Sequence, residues 1–327
     1  MTRQGSAGGF TQFAEAVSLV SQGQPGHIVD TLIAERGQRI VHHPLWPVMR
    51  PALYTLLNYR KALEFANGVA NLPGFQAFQY LSDTLSLDIR VAHEERIPRS
   101  GGFLLVSNHP TGIADGVAVF DLLKARRPDM MFFANRDAIR VNPRFVEMVI
   151  PVEWRDEHKS KLKARETLQV TNRAISEGKA TVLFPSGRIA YWADGRLNER
   201  PWKTSVVGFA RKHNLAILPV HMQARNSGLF YWLAKWSTEL RDMTVFHELL
   251  NKKGNVFDMT VGHLIPPDAL DGDTAEVTRA LERHTVMDLA RDGDAVFAPV
   301  QPARMPADAP PAEPVAAAAR HPAPVTT

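Results

Sequence analysis

Four short apolar runs constrain this chain more than any other feature: FLLVS at 103–107, MMFFA at 130–134, ATVLF at 180–184 and LAILPVHM at 215–222. Each has the length of a strand, about 4–8 residues, and is apolar on both faces. Strands of that kind belong inside a sheet that helices cover on both sides. The intervening segments supply such helices at 115–127, 161–178 and 205–214. In 161–178, Leu168, Thr171 and Ile175 fall on one helical face, and Gly178 is placed to end the helix. A further strand is expected at 255–265 and a last helix at 274–291. The alternation predicts an α/β fold with a central, mostly parallel sheet flanked by helices.

The flanks read differently. Residues 1–9 are expected to form a flexible start. Residues 10–87 read as a helical N-terminal region, broken at Pro25-Gly26, Pro44, Pro47, Pro51 and Pro73-Gly74. The α/β domain is expected to span 88–298. The stretch 299–327 holds 8 Pro and 9 Ala. It cannot bury enough apolar surface to offset its ordering entropy, so disorder is expected there. The first residues lack the apolar core of a signal peptide, and no apolar stretch approaches the ~18 residues of a membrane span. Two segments, 45–67 and 228–241, are rich in Leu, Trp, Phe and Tyr with cations among them. Each reads either as core-packing helix or as a surface that lies on lipid.

Composition narrows the chemistry. The chain has no cysteine, which excludes disulfides, a thiol nucleophile and cysteine-based metal sites. The net charge of +4 favours anionic ligands or surfaces. A nucleic-acid partner is not expected, because no dense basic stripe or zinc-finger spacing accompanies that charge. There is no serine-hydrolase elbow and no P-loop. HEERI at 93–97 and HELLN at 247–251 lack the second histidine of a zinc-protease helix. Neither a metal nor a cofactor is expected.

Three elements can carry chemistry. The first is SNHPTGIADG at 107–116, a loop between a strand and a helix. If it curls back, Asp115 can orient the His109 imidazole and leave its other nitrogen to take a proton from an alcohol. The competing reading is a turn whose His and Asp only cap the helix. The second is FPSGRIAYWADGRLNERPWK at 184–203. There Phe184, Pro185, Ser186 and Gly187 shape a turn, while Arg188, Arg200 and Lys203 can meet phosphate or an oxyanion. Otherwise it is a surface loop with solvated cations. The third is the pair Arg136 and Arg140, four apart, which present either an anion site or a solvated helix face.

In this order, NHPTGIAD, then FPSGRIA about seventy residues on, then ILPVHMQARNSGLFY, the chain resembles the glycerolphosphate/lysophospholipid acyltransferase superfamily, and most of all its hemolysin-like branch. The resemblance covers roughly 85–270. It implies transfer of an acyl group from acyl-CoA or acyl carrier protein, a co-substrate, to the hydroxyl of a glycerol phosphate or lysophospholipid. It implies His109 as general base and Asp115 as its orienter. It places Asn108, Gly112, Arg136, Arg140, Phe184, Pro185, Ser186, Gly187, Arg188, Lys203 and Pro219 in the substrate-binding blocks. Backbone N–H groups near Gly112 or Gly187 are expected to hold the oxyanion. Five residues separate His109 from Asp115, where the superfamily usually has four. Ser186 stands where its third block has an acid, and the arginine comes one place early. These departures leave open an amino-acid (ornithine-type) lipid as acceptor, or a silent lipid-binding protein of the same fold. Cytoplasmic localisation, with peripheral attachment to an anionic membrane at its inner face, completes the expectation.

Overall fold

The computed structural model describes residues 26–153 and 160–298; the start expected to be flexible and the tail expected to be disordered lie outside them. Seven strands form one sheet: β1 (Asp88–Ala92), β2 (Phe103–Ser107), β3 (Met131–Asn135), β4 (Val149–Val152), β5 (Ala180–Leu183), β8 (Ala216–Gln223) and β9 (Val256–Val261). Between β5 and β8, β6 (Tyr191–Ala193) and β7 (Arg196–Asn198) make a separate antiparallel hairpin. The sheet order is β1-β9-β8-β2-β5-β3-β4. Every neighbouring pair is parallel except β8 with β9. The fold is therefore α/β with a mostly parallel central sheet, and β2 stands in its middle.

The apolar runs are central because both faces are covered. Leu105 of β2 packs into a cluster with Phe78, Phe120 and Phe132, whereas Leu104 and Val106 face a second cluster with Val206, Val207, Val277 and Leu281. The first cluster draws on α5 (Gly74–Leu85) and α6 (Ile113–Leu123). The second draws on α9 (Ser205–Lys212) and α13 (Thr274–Arg283). Ahead of α5 stand α1 (Ile28–Arg36), α2 (Gln38–Val41), α3 (Trp46–Leu56) and α4 (Tyr59–Val69). Between the strands lie α7 (Asp137–Val141), α8 (Lys161–Ser176), α10 (Gly228–Trp236), α11 (Thr238–Met243) and α12 (Val245–Leu250). The N-terminal helices share a third cluster, with Val29, Tyr54, Tyr59 and Met243 in it.

Several elements depart from expectation. The edge strands β1 and β4 were not among the expected strands: β1 alternates exposed with half-buried residues, and β4 is a four-residue apolar run, buried at Val149, Ile150 and Pro151, that stands just after a short 3-10 turn. Pro51 does not break its helix but lies inside α3, and Pro47 is accommodated in the first turn, where its missing N–H costs no bond. The inward side of α8 is Thr171 and Ala174, with Leu168 turned to solvent. The last helical stretch does cover the expected 274–291, but as three pieces: α13 to Arg283, a π turn at His284–Asp288 and a closing α turn at Leu289–Arg291. The final strand stops at Val261, beyond which Ile265 makes only an isolated bridge to Ile217.

Candidate active site

β2 runs between β5 and β8, so the turn that follows Ser107 opens at the edge where two other strands also end. That turn requires Gly112. Its φ is +100°, and an added Cβ would stand 2.7 Å from Ile189 Cδ1. Asp115, in the first turn of α6, is wholly buried. Its carboxylate accepts the N–H of Thr111 at 2.9 Å, the N–H of Gly112 at 2.9 Å and the Thr111 hydroxyl. The amino end of α6 favours the negative charge there. Held in this way, Asp115 presents Oδ2 at 2.9 Å from His109 Nδ1. The approach has ion-pair distance but is not aligned as a hydrogen bond. The imidazole stacks on Phe184, with ring centroids 4.4 Å apart and planes at 24°. Asp115 thus both caps the helix and faces the histidine.

The turn after β5 lies against this pair. Gly187 has φ +62° and donates its N–H to Phe184 O at 3.0 Å. Ser186 is buried, and its hydroxyl donates to Arg188 O at 2.9 Å. Lys203 donates its N–H to Pro185 O at 3.1 Å, and a Cβ on Gly187 would lie 3.4 Å from Lys203 Nζ. The structure therefore gathers Phe184, Pro185, Ser186, Gly187, Arg188 and Lys203 into one turn beside His109, with the two cations exposed. Arg136 follows β3, the next strand in the sheet. Its Nη1 lies 2.8 Å from Glu166 Oε2, while Nε and Nη2 are buried with no hydrogen-bond partner among the described residues.

A family model described as Acyltransferase matches residues 88–223, which carry all these turns. Two relatives named lyso-glycine lipid O-acyltransferase, from Phocaeicola vulgatus and Bacteroides thetaiotaomicron, are each 22% identical to the chain over 213 residues. The matches cover 63% of this chain and 75% and 76% of those proteins. Over these residues the chain is similar to acyltransferases. A crystal structure of the 1-acyl-sn-glycerophosphate (LPA) acyltransferase PlsC from Thermotoga maritima is similar at 14% identity and a TM-score of 0.44. It covers 86% of this chain and 94% of that one.

Not every expected residue of this acyltransferase faces the site. Asn108 is committed to the backbone: it donates to Met222 O and accepts Met222 N–H, both at 2.8 Å, and so ties the turn to the end of β8. Arg140 forms a two-pronged pair with Glu35 at 2.7 and 2.8 Å and also reaches Asp137, bracing α1 against α7. Its pKa is pushed up, above all by the hydrogen bonds to Glu35. Pro219 lies within β8 opposite Val106, and its carbonyl accepts Gly262 N–H at 2.8 Å. It shapes the strand rather than the site. The N–H groups of Gly112 and Gly187 are spent on Asp115 and Phe184, so neither is a free oxyanion donor. Among the described residues no cluster of His, Asp and Glu could hold a metal.

One residue escaped the sequence reading. Glu199, just past β7, accepts the His109 backbone N–H at 3.1 Å on Oε2. Its chain position ninety residues away gave no local sign of that contact.

Proposed function

We propose that this acyltransferase esterifies the hydroxyl of a lysolipid with an acyl group taken from acyl-CoA or acyl carrier protein, with His109 as general base and Asp115 as its orienter. The observation that carries the reading is the 2.9 Å approach of a wholly buried carboxylate to His109 Nδ1. With Nδ1 toward Asp115, Nε2 takes the acceptor's O–H proton as the oxygen attacks the thioester carbonyl. The C–O bond forms, the C–S bond breaks, and the imidazolium returns its proton to the leaving thiolate. No acyl-enzyme is needed, which suits a chain without cysteine. The Asp115 anion stabilises the imidazolium in the interval.

On the acceptor, the names of the two relatives favour an amino-acid lysolipid over glycerol phosphate. The changed third block, with Ser186 in place of the acid, points the same way. Arg188, Lys203 and the unpaired nitrogens of Arg136 fit an anionic headgroup on the β5–β3 side. The test is thiol release from palmitoyl-CoA and palmitoyl acyl carrier protein with four acceptors: glycerol 3-phosphate, lysophosphatidic acid, a lyso-glycine lipid and a lyso-ornithine lipid. The amino-acid lysolipids are expected to react at least about tenfold faster, with mass spectrometry naming the ester. Faster reaction with the glycerol phosphates would return the assignment to phosphate headgroups. No release with any pair would leave a silent lipid-binding protein.

Lipid substrates require access to a bilayer. No helix among the described residues is long and apolar enough to cross a membrane. Leu45, Val48, Met49 and Leu56, in and just before α3, are exposed, as are Trp232 and Trp236 of α10. The inner faces of the same helices are packed, with Tyr54, Phe230 and Leu233 buried. Arg39 N–H donates to Glu239 Oε2 at 3.1 Å, joining α2 to α11 and so the neighbours of both apolar segments. These exposed apolar residues support a peripheral surface that inserts tryptophan at the lipid interface. Serine at both Trp232 and Trp236 is expected to lower sedimentation with anionic vesicles by about tenfold or more. Unchanged binding would move the contact elsewhere.

A further inference from the structure

The segment from Ala190 to Glu199 clamps His109 from both sides of its peptide. Ala190 N–H donates to His109 O at 2.9 Å, and His109 N–H donates to Glu199 Oε2 at 3.1 Å. The hairpin β6–β7 lies between these two contacts, so its turn returns the chain to the histidine. Glu199 Oε1 is buried and has no hydrogen-bond partner among the described residues. Beside it is Ser186, buried and small.

We infer that Glu199 is a positioning residue of this site: it holds the His109 main chain and, as an anion, supports the imidazolium that forms when the ring takes the acceptor's proton. The inference rests on the reading of His109 as base. Two charged groups act on Glu199 from the turn after β2, His109 and Asp115. Arg200, next in the chain, lies over the Tyr191 ring at 4.2 Å. Burial pushes the Glu199 carboxyl above the usual carboxylate range. The Ser186 hydroxyl, the His109 N–H and the His109 charge pull it down, and Asp115 pushes it up. Electrostatic coupling is reciprocal. If charged His109 favours the Glu199 anion, that anion in turn favours the imidazolium formed during the reaction.

Glu199→Gln separates this role from simple structure, because the amide oxygen still accepts the His109 N–H while the charge is gone. The variant is expected to lose about tenfold in kcat, with KM for both substrates within about twofold. Its acid limb of kcat/KM should move to lower pH, since the imidazolium has lost a stabilising anion. Parental kcat with a parental acid limb overturns the inference. If the variant melts early, the pH profile decides, because a loosened fold lowers the whole profile without moving its limb. His109→Ala, assayed alongside, separates the two levels. An active His109→Ala enzyme removes the reading of the base itself, whereas an inactive one beside a parental Glu199→Gln enzyme removes only the role of Glu199.

Discussion

His109→Ala is expected to lower acceptor-dependent thiol release by about 10³-fold or more, with KM for the donor and acceptor within about threefold. General-base catalysis by a placed side chain contributes ~10²–10⁴-fold. On the proposed mechanism the base acts on the substrate's own hydroxyl, with no enzyme nucleophile to share the work. The fold should survive. His109 stands in a turn with its side chain 18% exposed, and its two main-chain hydrogen bonds, to Glu199 and Ala190, do not use the ring. The ring's stack on Phe184 is lost, at a cost of ~1 kcal/mol. The far-ultraviolet spectrum and thermal melt are the controls. Turnover near the parental rate in a well-folded variant would show that the proton leaves by another route, and the reading of the site would fall.

Asp115→Asn is the second large effect, expected at about 10²–10⁴-fold in kcat. Loss of the charge removes both the tautomer preference and the counter-ion of the imidazolium. This variant also tests the helix-cap reading, because Asp115 has two structural duties. An asparagine oxygen can still accept from Thr111 or Gly112, but one oxygen cannot serve all the donors that now converge on two. The expected loss of stability is about 1–3 kcal/mol, readable by urea denaturation. A destabilised enzyme with near-parental kcat would make Asp115 a cap and nothing more. A large loss of kcat in protein that remains folded at the assay temperature assigns it to the chemistry.

The pairing of His109 with Asp115 was legible because it is local. Both lie in one strand-to-helix turn, and Gly112 allows the backbone to reverse there. The grouping of 184–188 with Lys203 was legible in part for the same reason: a strand end followed by Pro185 and Gly187 is a turn by composition. Arg140 misled because helical spacing shows which residues share a face but not what lies opposite. Glu35 fills that place, from a helix about a hundred residues earlier. Asn108 misled similarly, its partner being the backbone of β8.

What the sequence determined by itself was the class of fold and the location of its centre. Doubly apolar runs lose water only when both faces are covered, so they mark the inner strands of a helix-covered sheet. The edge β1 escaped because one neighbour and partial burial leave it no such run, whereas β4 is an apolar run of only four residues with a proline in it. Tertiary structure alone decided which turns meet. Strand order brings the ends of β2, β5 and β3 side by side, although about eighty residues separate the first two along the chain. It also decided that a hairpin outside the sheet returns Glu199 to His109. Hydrogen bonds between residues that far apart depend on where strands pair, and periodicity along the chain carries no record of that pairing.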